Sequence, residues 1–216
     1  IEIEHVNIEA LYQLEKEGVK VYPQPRVIET IQHKGRQKDF FTEHRIPTAP
    51  HHRFENIAKL KTAFANNLFE MPFVWKSSQF GYDGMGVKIV RTTADLDSLA
   101  DVDCIVEKLI PFKNELAVIV ARNNDGALKT YPVVEMEFYP EANQVEYVIC
   151  PARIDEAIAK KAQDIALQVA SAFKHVGLLA VELFLTNDDN ILVNEVAPRT
   201  HNSGHYSIEA SYTNQF

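Results

Sequence analysis

The strongest structural signal in the sequence is an amphipathic helix followed by a β-hairpin in the last third of the chain. Between Asp155 and Gly177 the apolar residues recur every three or four positions, the period of an α-helix with one buried face. Asp155 is a favourable N-cap residue, and Gly177 lies where such a helix would end. Apolar segments at residues 179–185 and 191–196 follow, separated by a polar turn, and predict two antiparallel strands. A helix beside an antiparallel hairpin is typical of an α+β fold.

The sequence upstream of this helix predicts two α+β regions. In the larger one, residues 112–216, strands are expected at 116–122 and 127–134, joined by the turn-forming sequence Asn-Asn-Asp-Gly at 123–126. The smaller one, residues 46–111, is expected to combine short strands with two helices. The change from short to long strands predicts a boundary near Pro111.

Residues 1–45 predict the end of an α/β domain that precedes these two regions. Period-two alternation at residues 1–6 and an apolar run at 19–22 each predict a strand, with a short helix between them at 8–17. One continuous helix is then predicted from about residue 27 to residue 44.

Composition excludes several classes of protein. The formal net charge of −8 argues against non-specific nucleic-acid binding, which needs clustered positive charge. The longest apolar runs have six residues, as at 116–121, whereas a membrane-spanning helix needs about 20. Cys104 and Cys150 form no CxxC pair, and we expect reduced thiols in a cytoplasmic protein. Because the chain starts at Ile1 and stops at Phe216 without a turn or cap signal, we also expect a fragment of a longer chain.

Two glutamates in the predicted hairpin are the first candidates for a functional site. If Thr186 pairs with Ile191, then Glu182 lies directly opposite Glu195 among apolar neighbours. Two such charges about 4 Å apart repel by about 4 kcal/mol at an effective dielectric constant near 20. Either one carboxylate is protonated, or a basic side chain lies between them, or a divalent cation such as Mg²⁺ bridges them. The alternative is a shifted register that leaves one glutamate exposed.

A glycine-rich segment follows the short strand that ends at Lys76. The sequence Gly-Tyr-Asp-Gly-Met-Gly at residues 81–86 would let backbone N–H groups approach a polyphosphate, and Lys76 would add a positive charge. The segment fits neither the Walker A pattern nor GxGxxG, because a strand rather than a helix follows it. Taken alone, an ordinary hairpin turn explains these glycines better.

Two further segments carry polar residues next to predicted strands. The apolar strand at residues 104–110 runs into a proline and could present its backbone to a flat base, with Glu115 placed for ribose hydroxyls. Taken alone, an edge strand and a surface glutamate explain them better. Arg199, His201 and Asn202 crowd the loop after the second hairpin strand, and Arg is suited to bidentate capture of carboxylate or phosphate. We interpret this loop as a polar substrate site rather than a zinc site.

Taken together, these motifs are similar to those of a known enzyme family. The order of Lys76, GYDGMG, IVEK, Glu115, VELF and NEVAPRTHNSGH resembles the ATP-grasp ligases. Within that superfamily the resemblance is to the N5-carboxyaminoimidazole ribonucleotide synthases, and it extends over essentially the whole chain. It implies an α+β ATP-grasp fold with a small subdomain at residues 46–111 and a large, C-terminally incomplete subdomain at 112–216. Residues 1–45 would be the end of an N-terminal α/β domain.

The resemblance also implies roles for individual residues. The implied ATP-binding residues are Lys38, Lys76, Gly81, Tyr82, Asp83, Gly84, Met85, Gly86, Val87, Glu107, Lys108, Leu109, Ile110, Glu115, Asn194 and Glu195. The implied Mg²⁺ ligands are Glu182 and Glu195. The implied catalytic residues are Arg199, His201 and Tyr82. The implied substrate contacts are Glu2, Glu4, Arg199, His201 and Asn202.

The activity implied by the resemblance is an ATP- and Mg²⁺-dependent ligation in purine biosynthesis. Bicarbonate would be activated as carboxyphosphate, and 5-aminoimidazole ribonucleotide would be carboxylated on its exocyclic amine, with release of ADP and phosphate. The resemblance further implies a homodimer. Two alternatives stay open at this point. One is an ATP-grasp carboxylate–amine ligase with another acceptor, and the other is a non-catalytic ATP-binding module.

Overall fold

The structure, a computed structural model, describes residues 1–3, 5–79, 86–139 and 144–216, with only the backbone of Gln144. The predicted site residues Glu4, Gly81, Tyr82, Asp83, Gly84 and Met85 therefore lie outside the described residues. The helices are Ile8–Lys16 (α1), Pro25–Ile31 (α2), Lys34–Glu43 (α3), Ile57–Ala65 (α4), Thr93–Asp97 (α5), Glu156–Phe173 (α6) and Ser207–Ala210 (α7), with a 3-10 turn at Asn202–Gly204. The strands are His51–Phe54 (β1), Phe73–Ser77 (β2), Val87–Val90 (β3), Cys104–Lys108 (β4), Phe112–Arg122 (β5), Leu128–Thr130 (β6), Val134–Tyr139 (β7), Gln144–Ile149 (β8), Gly177–Thr186 (β9) and Ile191–Ala197 (β10).

The strands form two antiparallel sheets. The smaller sheet has the order β1-β4-β2-β3, and the larger has the order β10-β9-β5-β7-β8, with β6 paired to β5. Helix α6 lies against the larger sheet and buries Ala162, Ile165, Val169 and Phe173 in its core. The α+β prediction is confirmed, and so is the amphipathic helix. The boundaries at residues 45 and 111 remain predictions.

The ends of α6 differ in detail from the simple capping pattern. Asp155 occupies the N-cap position, but its side chain makes no capping hydrogen bond. The helix ends at Lys174, which takes the left-handed conformation at φ 51° that glycine usually supplies. Gly177 also has a positive φ, 115°, at the start of β9, so the chain reverses through two residues in that region of backbone space.

The predicted N-terminal strands are wrong, since residues 1–3, 5–6 and 19–22 form no strand in the structure. Alternation alone does not make a strand, because a strand needs a neighbouring ladder to pair its backbone groups. The described part of this region has one contact of that kind, from the Ile1 amino group to the Tyr22 carbonyl oxygen at 3.1 Å. The helix predicted at 8–17 is confirmed as α1.

Two other predicted elements are interrupted. The single helix predicted over residues 27–44 is two helices, because His33 takes an extended conformation and its ring Nδ1 accepts a hydrogen bond from Arg36 N as the cap of α3. The strand predicted at 127–134 is divided into β6 and β7 at Tyr131 and Pro132, where proline lacks the N–H that a continuous ladder requires. The first interruption matters for function, since it places Lys34 at the start of α3.

No helix in the described part of the chain is both long and apolar enough to cross a bilayer.

Buried His175 should make the stability of the fold dependent on pH. The residue is fully buried, its Nε2 lies 3.1 Å from the Gly177 carbonyl oxygen, and burial lowers its pKa to about 4 from the ordinary value of 6.5. The unfolded chain therefore binds this proton more readily, so the stabilisation is present above about pH 6.5 and is lost as the pH falls toward 4. We expect a loss of about 2 kcal/mol in the free energy of unfolding between pH 7.5 and pH 5 from this group.

Urea unfolding of the wild type and of His175→Leu at the two pH values measures this contribution. The variant lacks the titrating ring, so its stability should fall by about 2 kcal/mol less over the same interval. Equal pH dependence in the two proteins would show that His175 is not the group responsible.

Candidate active site

The pairing of β9 and β10 contains a β-bulge that brings three polar side chains together. Ile191 pairs with Leu185 and Val193 with Leu183, but beyond them Val196 pairs with Val181. One residue of β9, Glu182, is therefore opposite both Asn194 and Glu195. The predicted pairing of Thr186 with Ile191 is wrong by one residue, because Ile191 pairs with Leu185. The bulge adds one residue to β10, so beyond it the strands return to the predicted register and Val196 pairs with Val181. The predicted proximity of Glu182 and Glu195 thus arises from the bulge rather than from a regular register.

These three side chains line one end of a cleft between the two sheets. The cleft has a volume of about 770 Å³. The smaller sheet contributes Lys76 from β2 and Glu107 from β4, and the larger sheet contributes Glu115 from β5. The loop after β10 reaches the same space. The cleft is therefore open to a ligand that contacts both sheets and this loop.

The opposite part of the cleft is apolar. Phe112 and Phe184 stack with ring centroids 4.6 Å apart and an interplanar angle of 12°. Val74, Val87 and Ile89 from the smaller sheet also line the cleft, next to the linker residues Lys108, Leu109 and Ile110. Apolar side chains around an exposed stretch of backbone suit a flat heteroaromatic ring, because the ring buries its faces and its edge pairs with backbone groups.

A buried glutamate holds two lysines at the polar end. Lys38 Nζ lies 3.0 Å from Glu107 Oε1, and Lys76 Nζ lies 3.0 Å from Glu107 Oε2, with all three side chains less than a tenth exposed. The contact to Oε1 lacks hydrogen-bond geometry, and the Lys38 ammonium donates instead to Thr48 Oγ1 at 2.7 Å. The Glu107 side chain therefore faces the lysines, while its neighbours Lys108 to Ile110 line the apolar part.

The electrostatics of this triad follow from burial and charge balance. Burial would raise the pKa of Glu107, but Lys76 and Lys38 lower it to about 2, so the carboxylate is ionised. Burial lowers the pKa of Lys38 to about 8, against the opposing effect of Glu107. One carboxylate thus shares two ammonium groups. The triad favours an additional anion, which would stabilise the charged form of Lys38.

The bulge residues have basic partners of their own. Lys34 Nζ lies 2.6 Å from Glu195 Oε2, and Lys76 donates to Asn194 Oδ1 at 3.0 Å. His201 Nε2 lies 3.2 Å from Glu182 Oε1. Each glutamate therefore has its own basic partner, rather than the one basic side chain between them that is among the three predicted alternatives. The Lys34 ammonium holds the pKa of Glu195 well below its ordinary value, so this carboxylate is ionised.

The donor set also fits a divalent cation. Burial, together with the charges of Glu182 and Glu195, raises the pKa of Glu115 to about 7, against an opposing effect of Lys76. These three acidic side chains therefore lie close enough to influence one another, and carboxylate oxygens are ligands that suit Mg²⁺. Among residues 1–3, 5–79, 86–139 and 144–216 there is no group of three or more His, Cys, Asp and Glu that could hold a metal ion. A cation here would need ligand oxygens in addition, as expected for a metal bound together with phosphates.

The structure brings most of the predicted site residues together. The predicted residues that line the cleft are Lys76, Val87, Glu107, Lys108, Leu109, Ile110, Glu115, Glu182, Asn194, Glu195, Arg199, His201 and Asn202. Lys38 lies directly behind them, in contact with Glu107. Gly86 is not among the lining residues, and its carbonyl oxygen accepts a hydrogen bond from Ser77 N at 2.8 Å. Glu2 is exposed and does not line the cleft, so the described structure lends no support to it as a substrate contact.

The sequence did not predict Lys34 as a site residue beside Lys38 and Lys76. Lys34 reaches Glu195 because α3 begins at residue 34, where Lys34 N donates to the Ser78 carbonyl oxygen at 2.9 Å. In the single helix predicted over residues 27–44, Lys34 would lie in the middle of the helix, where nothing distinguishes it from the other lysines. The signal that was available is the Gln-His sequence at residues 32–33, since His can cap a helix through its ring nitrogen as His33 does here.

A family model for the ATP-grasp domain matches residues 39–216. The chain belongs to the ATP-grasp family. Its cleft between two antiparallel sheets is thus an ATP-grasp cleft, and the fold implied by the resemblance is confirmed.

Individual ATP-grasp proteins are similar over the whole chain. The N5-carboxyaminoimidazole ribonucleotide synthase of Synechococcus elongatus is 40% identical over 222 residues, covering 100% of this chain and 54% of that protein. The carboxyaminoimidazole ribonucleotide synthase of Aspergillus clavatus in complex with ATP superposes with a TM-score of 0.91 at 38% identity, covering 99% of this chain and 56% of that one. A structure of the A. clavatus enzyme with ADP and 5-aminoimidazole ribonucleotide gives 0.89 at 36% identity, with the same coverage. The chain thus spans about half the length of these relatives.

Proposed function

We propose that this chain is the ATP-grasp part of an N5-carboxyaminoimidazole ribonucleotide synthase. The reaction is the ATP- and bicarbonate-dependent carboxylation of 5-aminoimidazole ribonucleotide in purine biosynthesis. The names and bound ligands of the similar proteins support this substrate class. The observation that carries the proposal is the convergence of Glu182, Asn194 and Glu195 at the polar end of a cleft whose other end is apolar.

The two ends of the cleft suit the two ends of ATP. The adenine would lie against the apolar part beside Lys108, Leu109 and Ile110, and Glu115 would accept hydrogen bonds from the ribose. The triphosphate would extend toward Lys38 and Lys76, whose fixed charges already converge on Glu107. Lys34, which contacts Glu195 in the bulge, would add a third positive charge.

The residues toward the bulge would hold Mg²⁺. Glu182 and Glu195, assisted by Asn194 Oδ1, supply oxygen ligands that fit this ion. When bound, Mg²⁺ would neutralise charge on the phosphate oxygens during phosphoryl transfer.

The proposed chemistry has two steps. A bicarbonate oxygen attacks the γ-phosphorus of ATP and ADP leaves, which gives carboxyphosphate. The exocyclic amine of the ribonucleotide then attacks the carboxyl carbon, loses a proton, and phosphate leaves. Lys38 and Lys76 would stabilise the charge that develops on the transferred phosphoryl group, since buried ammonium groups need no reorganisation at that moment.

The loop of Arg199, His201 and Asn202 would bind the ribonucleotide and bicarbonate. All three line the cleft next to the bulge. Ser203 N donates to His201 Nδ1 at 3.3 Å, and His201 Nε2 lies 3.2 Å from Glu182 Oε1. The ring is thereby oriented by contacts at both of its nitrogens.

The proposal is tested by measuring ADP release from the full-length protein with bicarbonate, in the presence and absence of 5-aminoimidazole ribonucleotide. Stimulation by the ribonucleotide together with formation of the carboxylated product is the expected result. Turnover only with another acceptor would instead indicate a different ATP-grasp ligase. ATP binding without turnover on any acceptor would indicate a non-catalytic module.

His201→Ala should uncouple ATP hydrolysis from carboxylation. The ring contacts Glu182 at the bulge and lies in the loop next to the proposed metal site, away from the apolar part of the cleft. We therefore expect ribonucleotide-dependent turnover to fall by tens-fold while the Kd for ATP changes by less than about threefold, since one charge-assisted contact is worth about 1.5–3 kcal/mol. Steady-state kinetics measures the turnover, and nucleotide titration measures the Kd for ATP. Equal losses in both would contradict a role on the ribonucleotide side.

The proposal extends to the assembly and location of the protein. We propose a homodimer, on the resemblance to the family, and a cytoplasmic enzyme, which is consistent with Cys104 and Cys150 being free thiols. Sedimentation of the full-length protein measures its oligomeric state, and we expect a dimer.

A further inference from the structure

A buried glutamine holds the backbone of the loop that carries His201. Gln215 is 5% exposed. Its side-chain Oε1 accepts a hydrogen bond from His201 N at 3.0 Å, and its Nε2 donates to the His201 carbonyl oxygen at 2.9 Å. One carboxamide thus satisfies both backbone polar groups of a single residue, as a neighbouring strand would.

The surrounding contacts keep this glutamine in place. Gln215 N donates to Ser207 Oγ at 3.1 Å, and the same hydroxyl donates to the Gly204 carbonyl oxygen at 2.6 Å. Two residues earlier, the Thr213 carbonyl oxygen accepts a hydrogen bond from Tyr131 OH at 3.1 Å. The segment is therefore tied both to the loop and to the larger sheet.

Gly204 leaves the space that this arrangement needs. A Cβ atom at residue 204 would lie 2.4 Å from Gln215 Oε1 and 2.4 Å from Ile119 Cδ1, closer than packed atoms allow. Since φ of Gly204 is not in the left-handed region, close approach rather than backbone conformation requires glycine here. The loop and the glutamine are thus fitted to each other.

We propose that Gln215 is a positioning residue, which fixes the backbone of His201 so that its imidazole ring meets Glu182 in the cleft. The inference rests on the proposed function, in which His201 acts beside the bulge. Gln215 itself is not among the residues that line the cleft. Its effect on the reaction would be exerted through the orientation of the ring, held at 3.2 Å from Glu182 Oε1.

The experiment compares Gln215→Ala with the wild type in the full-length protein. Loss of both hydrogen bonds should free the His201 backbone, and a displacement of about 1 Å at a reacting group lowers turnover by up to about 100-fold. We expect ribonucleotide-dependent kcat to fall by about 10- to 100-fold while the KM for ATP changes by less than about threefold. Asn214→Ala is the matched control, because Asn214 is exposed and its side-chain Oδ1 accepts a hydrogen bond from Phe216 N at 3.0 Å rather than contacting the His201 backbone. A kcat within twofold of the wild type in Gln215→Ala would overturn the proposal.

Gln215→Glu supplies a second variant whose behaviour depends on pH. The carboxylate keeps the acceptor for His201 N but places an oxygen against the His201 carbonyl, whereas the protonated acid regains a donor. The activity of this variant, relative to the wild type at each pH, should therefore rise as the pH is lowered. A constant ratio across the pH range would count against the pairing with His201.

Amide hydrogen exchange separates this proposal from the proposed function. The His201 amide should be protected in the wild type and exchange at least tenfold faster in Gln215→Ala, whether or not the ribonucleotide is a substrate. Unchanged exchange would overturn the positioning role even in an active enzyme. Absence of ribonucleotide-dependent turnover in the wild type would contradict the proposed function alone, and the exchange result would still decide the role of Gln215.

Discussion

Glu195→Ala should greatly reduce Mg²⁺-dependent ATP turnover. The substitution removes one of two carboxylates that meet at the bulge and leaves Lys34 without the partner that now lies 2.6 Å away. Loss of a metal ligand together with an unpaired ammonium group is expected to lower kcat/KM by about 100-fold or more, corresponding to about 3 kcal/mol. Steady-state ADP release at varied Mg²⁺ concentration measures the effect, and the apparent affinity for Mg²⁺ should fall as well.

Two further variants test whether the loss of activity in Glu195→Ala comes from loss of the carboxylate charge. Glu195→Gln keeps the shape but lacks the charge, so it should resemble Glu195→Ala if charge at the metal is what matters. Glu70→Ala removes an exposed carboxylate in the linker before β2 and should leave the kinetics unchanged. Normal Mg²⁺ dependence in Glu195→Ala would exclude this residue as a ligand and would remove the main support for the proposed site.

The second large effect is expected on stability, from Glu107→Gln. This change leaves Lys38 and Lys76 buried without their shared counter-charge, and breaking a buried ion pair from one side costs about 3–5 kcal/mol. We expect the free energy of unfolding in urea to fall by that amount. Glu55→Gln is the control, because Glu55 pairs with Lys59 on the surface, where both side chains are mostly exposed and screened by solvent.

A double variant tests whether unbalanced charge is the reason. Glu107→Gln combined with Lys38→Met removes one of the two uncompensated ammonium groups, so it should recover part of the lost stability. If the double variant is as unstable as the sum of the two single variants, the residues are not coupled. Added ATP should stabilise Glu107→Gln more than it stabilises the wild type, because the phosphates would replace the missing anion.

The elements that could be predicted from the sequence are those whose patterns are local. Helix α6 and the β9–β10 hairpin follow from apolar period and turn composition within about 20 residues, and both are confirmed. The strands expected at residues 1–6 and 19–22 are absent from the described residues because alternation says nothing about whether a pairing partner exists.

Only part of the candidate site could be predicted, because the rest depends on contacts between residues far apart in the sequence. The proximity of Glu182 and Glu195 was expected, but the bulge that produces it depends on packing along the whole hairpin and leaves no mark on residue spacing. The position of Lys34 depends on a contact with Ser78, a residue in another structural unit. Gln215 was not predicted at all, since a glutamine near a loop has no pattern that distinguishes it from a solvated one.

The paired state of Lys34, Lys38 and Lys76 has a consequence for how a polyphosphate would bind. Lys34 already contacts Glu195, and Lys38 and Lys76 already share Glu107. An incoming triphosphate would therefore meet ammonium groups that are already partly neutralised instead of bare cations. The gain in Coulomb energy would be smaller than for unpaired ammonium groups, which in the proposed reaction would favour reversible nucleotide binding and release of ADP.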